Sequence, residues 1–466
     1  MEEWLKITLC VSLFATFRDF RPVDSFYTSF LTSPAVNFTA EQVTKDIYPI
    51  NSYATTSLVI VMFLVTDYVL YKPIVMLDAF SSIVMFLLVL EPITLFKAKL
   101  NMLFLGLTSA CELAYMSYAY AKIRDRRLYQ KMTGIVRGSN LLGKCLSATF
   151  AQIAVSFIHI EYGLLVYISL AGSCVAFFVT FFFPPVNSSI YFHPESPKTT
   201  KSKVNYNTFH NKNHKGIEPC FVEKSPKPVR VVLDQLYLEL RDAYTNPYLL
   251  KFGVWFAFAT GVYFQGSSEF RLEGRIHPVM VVHDYIVVSK KLQVLTYNDV
   301  LYLDLNERNP VDNKLYNGGV DALAFISGAL SSYCIGFLKV DWKSASNFYF
   351  FIGSLLSCIT LCICYVTTSL NLVYIMYIIF CFVFQSMNVV ARSETAKHLK
   401  HDSFAFIFGV VFFISLVVSS AITYLFVQGT FIQIPVNVQF LLYGLINLGL
   451  AFWFFFQMCL EKCIVK

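Results

Sequence analysis

Long apolar runs, each near the length of one membrane-crossing helix, alternate along this chain with short polar segments. A helix needs about 20 apolar residues to cross a bilayer. The first run, Ile7–Phe17, ends in Arg18-Asp19-Phe20-Arg21-Pro22-Val23-Asp24 and so carries its charges at its far end. Helices are then predicted over about Ile50–Val69, Ile74–Phe96, Leu100–Ala121, Met132–Phe157 and Tyr162–Phe183, the last stopped by Pro184-Pro185. A polar stretch rich in Lys, Ser, Pro, Asn and His follows, from Asn187 to about Thr245, and reads as a mobile linker. Leu233–Tyr244, at its end, has the pattern of an amphipathic helix. A seventh apolar helix starts near Pro247. Further runs are Asn317–Phe337, Phe348–Val366, Leu372–Ala391, Phe404–Val427 and Val438–Met458.

Six runs precede the linker and six follow it. The expected organisation is a six-helix bundle over 1–184, a cytoplasmic linker over 185–246 and a second six-helix bundle over 247–466. Two such halves with a long joining loop are the plan of the major facilitator fold, an all-α membrane class with its substrate site near the midplane. Basic residues recur after even-numbered spans: Lys72, the 122–131 cluster, the linker, Lys339 with Lys343, and Lys397 with Lys400. The positive-inside rule puts these loops and both termini in the cytoplasm. Asn37-Phe-Thr39 is an N-glycosylation acceptor. The same topology places it outside, where it can be used, and places Asn187-Ser-Ser189 inside, where it cannot.

Composition agrees with this picture. Of 466 residues, 56% are hydrophobic and only 14% charged, against about a quarter for a soluble protein. The net charge of +7 belongs to cytoplasmic loops, so nucleic acid is not an expected partner. No small-residue cleavage site follows the first run, so no cleaved signal is expected. The 12 cysteines are scattered. Cys358-x3-Cys362-x-Cys364 lacks zinc spacing, and these thiols are expected to pack as small apolar groups. There is no GxSxG, HExxH or Walker loop, and the eight histidines lie mostly in loops or at span ends. A channel filter is absent too. Enzyme and channel classes are therefore not expected, and no cofactor is called for.

The chemically unusual stretch is Leu107–Ala121, with Glu112 inside an apolar run and Tyr115 on the same helical face. A carboxylate at such depth faces a polar path or a partner cation. Arg137 and Lys144, seven residues apart, share a face of the next helix and supply candidate cations.

Several motifs carry a resemblance. They are Arg21-Pro22-Val23-Asp24-Ser25-Phe26, the Asn37 sequon, Ile47-Tyr48-Pro49 and Thr66-Asp67-Tyr68 with Tyr71-Lys72-Pro73. Further along come Glu112-Leu-Ala-Tyr115-Met-Ser-Tyr-Ala-Tyr120, Tyr129-Gln130-Lys131 with Arg137, Tyr316–Ala322 and Phe408-Gly409. In this order, over most of the chain, they resemble solute carrier family 19, the reduced folate carriers and thiamine transporters of the major facilitator superfamily. The resemblance implies uptake of a water-soluble vitamin by alternating access at the plasma membrane. It carries the thiamine-binding roles onto Glu112, Tyr115, Asp24 and Tyr48, and it puts Arg137, Thr296 and Tyr297 among the substrate contacts. A carboxylate pairing with an aminopyrimidine, and rings stacking on it, suit a flat cationic ligand.

Two departures bear on the substrate. Thiamine members carry Trp where this chain has Asn51, and folate members carry an Arg and a Lys where it has Gln385 and Ser419. Thiamine is thus favoured over folate, with a folate or other anionic vitamin carrier and a transport-inactive receptor-like homologue as alternatives. The expected partners are a small vitamin and membrane lipid, and the chain is expected to act as a monomer.

Residues 266–293 break the seventh helix with Arg271, Glu273 and Arg275. Skipping them joins Phe264-Gln265 to Val294-Leu-Thr296-Tyr297, close to the run the family shows there. The stretch is read as an insert, from an in-frame intron retained in the gene model or from a real outer element.

Overall fold

A computed structural model describes residues 2–39, 42–90, 92–186, 229–266, 317–367, 369–399, 404–422, 425 and 436–464. Thr296 and Tyr297, all of 266–293 beyond Gly266, and the linker up to residue 228 lie outside the described residues. Thirteen long helices are described: α1 Glu3–Arg18, α2 Tyr48–Tyr68, α3 Lys72–Leu88, α4 Leu95–Lys122, α5 Tyr129–Ser156, α6 Tyr162–Phe181, α7 Val229–Thr245, α8 Pro247–Gly266, α9 Asn317–Phe337, α10 Trp342–Val366, α11 Leu370–His398, α12 Phe404–Ile422 and α13 Val436–Ile464.

Seven of them, α2, α6 and α9 to α13, are long and apolar enough to cross a membrane. For four of the others the cause is plain. Helices α1 and α3 have 16 and 17 residues, and α4 and α5 are interrupted by charge. Helix α7 is the expected amphipathic helix, longer at its start than Leu233.

Boundaries follow proline and capping chemistry. Helix α1 stops at Arg18, where the Arg21 Nε donates to the Arg18 carbonyl at 2.8 Å. Pro22, which has no N–H to lose, then opens a 3-10 turn, Pro22–Phe26, that runs into the helical turn Tyr27–Leu31. Helix α1 therefore does not run on into these turns. Pro49 and Pro73 start α2 and α3 in the same way. Between them, Leu70 and Tyr71 take φ values of 64° and 63°, a left-handed turn that Cβ atoms disfavour. Helix α3 ends at Leu88, earlier than Phe96, and Thr94 accepts from the Lys97 amide to start α4. Lys72 then caps α6, donating to the carbonyls of Phe181 and Phe183 at 3.3 and 2.7 Å.

Helices α1 to α6 pack mainly on one another, as do α8 to α13. Contacts between the two sets run chiefly through α5 against α9, with α5 also against α11 and α2 and α4 against α12. Gly134 and Gly336 let α5 and α9 touch backbone to backbone: a Cβ on Gly134 would sit 2.6 Å from the Gly336 Cα.

Candidate functional site

The end of α1 turns two charges inward that its sequence position presents as loop charges. The side chains of Arg18 and Asp19 are only 3% and 7% exposed. Arg18 is satisfied on three sides. Its Nε donates to Asp78 Oδ2 of α3 at 2.7 Å, and its Nη2 donates to the Thr108 carbonyl of α4 at 2.9 Å. Its Nη1 lies 3.5 Å from Asp19 Oδ1 and 3.8 Å from Glu112 Oε2.

Glu112 sits between two guanidinium groups, because Arg137 Nη1 of α5 reaches its other oxygen at 3.3 Å. It is the most open member of the group, at 32% side-chain exposure, against 11% for Arg137. Asn140, one turn beyond Arg137, donates to Asp19 Oδ2 and, at 3.3 Å, to the Tyr115 hydroxyl. Tyr115 is buried, with Phe14 edge-on to its ring at 5.6 Å and the Arg18 guanidinium 5.7 Å from its centroid. Lys144 and, from the other set of helices, Arg392 of α11 are further electrostatic neighbours of Glu112. Arg392 donates to Asn388 Oδ1 at 2.9 Å and lies over the Phe256 ring at 4.9 Å.

The residues that touch one another thus form a five-charge cluster: Arg18 and Arg137 against Asp19, Asp78 and Glu112. Buried charges are tolerated when paired and hydrogen-bonded; among these direct contacts carboxylates outnumber guanidiniums by one, and Arg21, Lys144 and Arg392 act on the carboxylates from further away. Two buried atoms in it, Asp78 Oδ1 and Arg137 Nε, have no hydrogen-bond partner.

Of the sequence-predicted site residues, the structure brings Glu112, Tyr115 and Arg137 together. Asp24 and Tyr48 belong to a second group. The Tyr48 hydroxyl pairs with Thr28 at 2.6 Å, and Tyr48 packs in a hydrophobic cluster with Tyr27, Phe86 and Met102. Asp24 lines a cavity there with Tyr27 and Asn101, whose side chains are bonded at 2.8 Å. Asn37 is exposed, with a left-handed backbone, after the turn Tyr27–Leu31.

Arg18, Asp19, Asp78 and Asn140 were not predicted. Asp78 could have been: a carboxylate inside the apolar run of α3 is the same signal that singles out Glu112.

The family model described as Reduced folate carrier matches residues 2–268 and 280–442. The break between the matched segments falls within 266–293. Thiamine transporter 2 of Homo sapiens is 27% identical over 464 residues, covering 95% of this chain and 87% of that protein. Folate transporter 1 of Caenorhabditis elegans is 27% identical over 448 residues, covering 95% of this chain and 89% of that one. In fold, the chain is similar to the crystal structure of the human organic anion transporter MFSD10 (TETRAN), with a TM-score of 0.59 at 9% identity, over 97% of this chain and 100% of that one.

Proposed function

Because this chain belongs to the reduced folate carrier family, we propose that it takes up thiamine, or a related organic cation, across the plasma membrane by alternating access. Membership makes it a multi-pass membrane transporter of a vitamin; the substrate, the sidedness and the mechanism are our reading. In that reading twelve helices span the membrane in two six-helix bundles, both termini are cytoplasmic, and the chain works as a monomer.

One observation carries the choice of substrate. The directly contacting cluster of Arg18, Arg137, Asp19, Asp78 and Glu112 lacks one positive charge. Its most open member is a carboxylate. A cationic substrate supplies the missing charge, and its ring amino group donates to Glu112. Tyr115 acts from behind by holding Asn140, while Asp24 and Tyr48 serve the path toward the site. Thr296 and Tyr297 are assigned substrate contact on the family resemblance alone.

Arg392 and Lys144 near Glu112 favour a second reading, an anionic vitamin such as a reduced folate, whose negative group would meet these cations. Uptake of labelled thiamine and labelled folate in cells expressing the chain, each competed by both unlabelled vitamins, separates the readings. Saturable thiamine uptake that folate does not compete supports the first, and the reverse supports the second. Surface protein with no uptake of either leaves a receptor-like homologue.

A further inference from the structure

We infer that Arg18 is a positioning residue that sets substrate charge preference: it fixes how much of the Glu112 charge a substrate meets, and Asp78 controls how much of Arg18 reaches Glu112. The inference rests on the transport reading above. Three observations carry it. Arg18 spends its Nε and Nη2 on Asp78 and the Thr108 carbonyl, so its orientation is fixed by α3 and α4. Its remaining nitrogen, Nη1, stands between Asp19 and Glu112. Asp78 is 1% exposed, and its Oδ1 has no hydrogen-bond partner, so Arg18 is its principal compensation. Arg18 itself is too buried to touch a substrate. It acts through Glu112, the open end of the cluster.

The charge arithmetic gives opposite signs for two related variants. Asp78→Asn keeps Arg18 but removes one negative charge, so the cluster becomes neutral and the full guanidinium charge falls on Asp19 and Glu112. Arg18→Gln with Asp78→Asn removes the pair together, which buried ion pairs tolerate better than loss of one partner. The cluster then keeps its net charge, but of its two direct ion-pair partners Glu112 retains only Arg137, with Lys144 and Arg392 as more distant cations.

The test measures KM for thiamine and for folate uptake in the full chain, normalised to surface protein. Asp78→Asn should raise the thiamine KM about tenfold, and the double variant should lower it about threefold to tenfold. The folate KM should move the other way in each case. Both variants carry the same change at Asp78, so a merely structural role would shift both in one direction. That result, or a double variant with the wild-type ratio of thiamine to folate KM, overturns the inference while leaving the transport reading in place. If Asp78→Asn fails to reach the surface, the ratio in the double variant decides alone. A wild-type chain at the surface that takes up neither vitamin overturns both.

Discussion

The indole nitrogen of Trp342 donates to the side-chain carbonyl of Gln130 at 2.8 Å, joining the start of α10 to the start of α5. The Gln130 amide does more than that. Its Nε2 donates to the Ile335 and Leu338 carbonyls at 2.7 and 2.8 Å, and Lys397 Nζ of α11 reaches its Oε1 at 3.4 Å. One side chain of the first six helices therefore satisfies groups on α9, α10, α11 and the turn after α9. Arg126, nearby, donates to the carbonyls of Lys397 and Leu399. These bonds hold the two sets of helices together at the end that bears the α4–α5 turn. Gln130→Leu should orphan buried donors and acceptors there, at about 1–3 kcal/mol each. A reporter is close by: Lys131 Nζ lies 5.1 Å from the Phe337 ring centroid. Cross-linking of Lys131→Cys to Phe337→Cys by a short bismaleimide should fall severalfold when Gln130→Leu is added. An unchanged yield would show that the amide does not hold this end closed.

Gly134 makes a sharper steric prediction. A Cβ there meets the Ser332 carbonyl and the Gly336 Cα, both at 2.6 Å. Neither is the end of a flexible side chain, so Gly134→Ala must push α5 from α9. Interiors resist such overpacking, typically at 1–3 kcal/mol or about that order. Vitamin uptake should fall at least tenfold with surface protein retained, because only the conformation that brings these helices together is penalised. Uptake near wild type, measured with surface biotinylation, would mean the close approach is not needed for the cycle.

How much of this site the sequence carries depends on what kind of signal each residue leaves. Glu112 is legible because a carboxylate in an apolar run violates a solvation rule, and Arg137 because it lies on one helical face with Lys144. Arg18 and Asp19 violate nothing. At the end of an apolar run they look like solvated termini, and it is Asp78 of α3, the Thr108 carbonyl of α4 and Asn140 of α5, packed against the end of α1, that bury them. Asn140 and Gln130 are neutral amides with no periodic signature, and each has a partner more than 100 residues away, Asp19 and Ile335. The helices themselves are legible in the sequence, but their ends are less so: α10 begins six residues before Phe348, α11 and α13 end seven and six residues beyond Ala391 and Met458, and α3 stops at Leu88, well short of Phe96. Glu91-Pro92, three residues on, is the breaker that marks that end.

Asn37 tests sidedness. It is exposed after the turn Tyr27–Leu31, and its sequon is intact through Thr39. In the proposed topology this segment faces outward, so the protein from animal cells should shift to higher mobility on deglycosylation. Asn37→Gln should abolish the shift. A protein unaffected by glycosidase, with a mobility that Asn37→Gln does not alter, would argue against an outward Asn37.

Glu112 is the residue on which the substrate reading and a purely structural one diverge. Its carboxylate accepts from Arg137 at 3.3 Å, and no other acceptor for the Arg137 side chain is described. Glu112→Gln alone therefore removes a substrate contact and the compensation of a largely buried guanidinium together, and breaking such a pair costs about 3–5 kcal/mol. A single variant that fails to reach the surface would speak only to the second effect. Glu112→Gln with Arg137→Gln separates them, because the charge is removed from both partners while Arg18 keeps Asp78 and Asp19. The double variant should reach the surface at wild-type levels. Its thiamine uptake should stay at least tenfold down, equivalent to about 1.4 kcal/mol or more of lost binding, because the neutral amide no longer offers a carboxylate to the substrate. Recovery of uptake together with surface protein would assign Glu112 to holding Arg137 and would remove it from the substrate site.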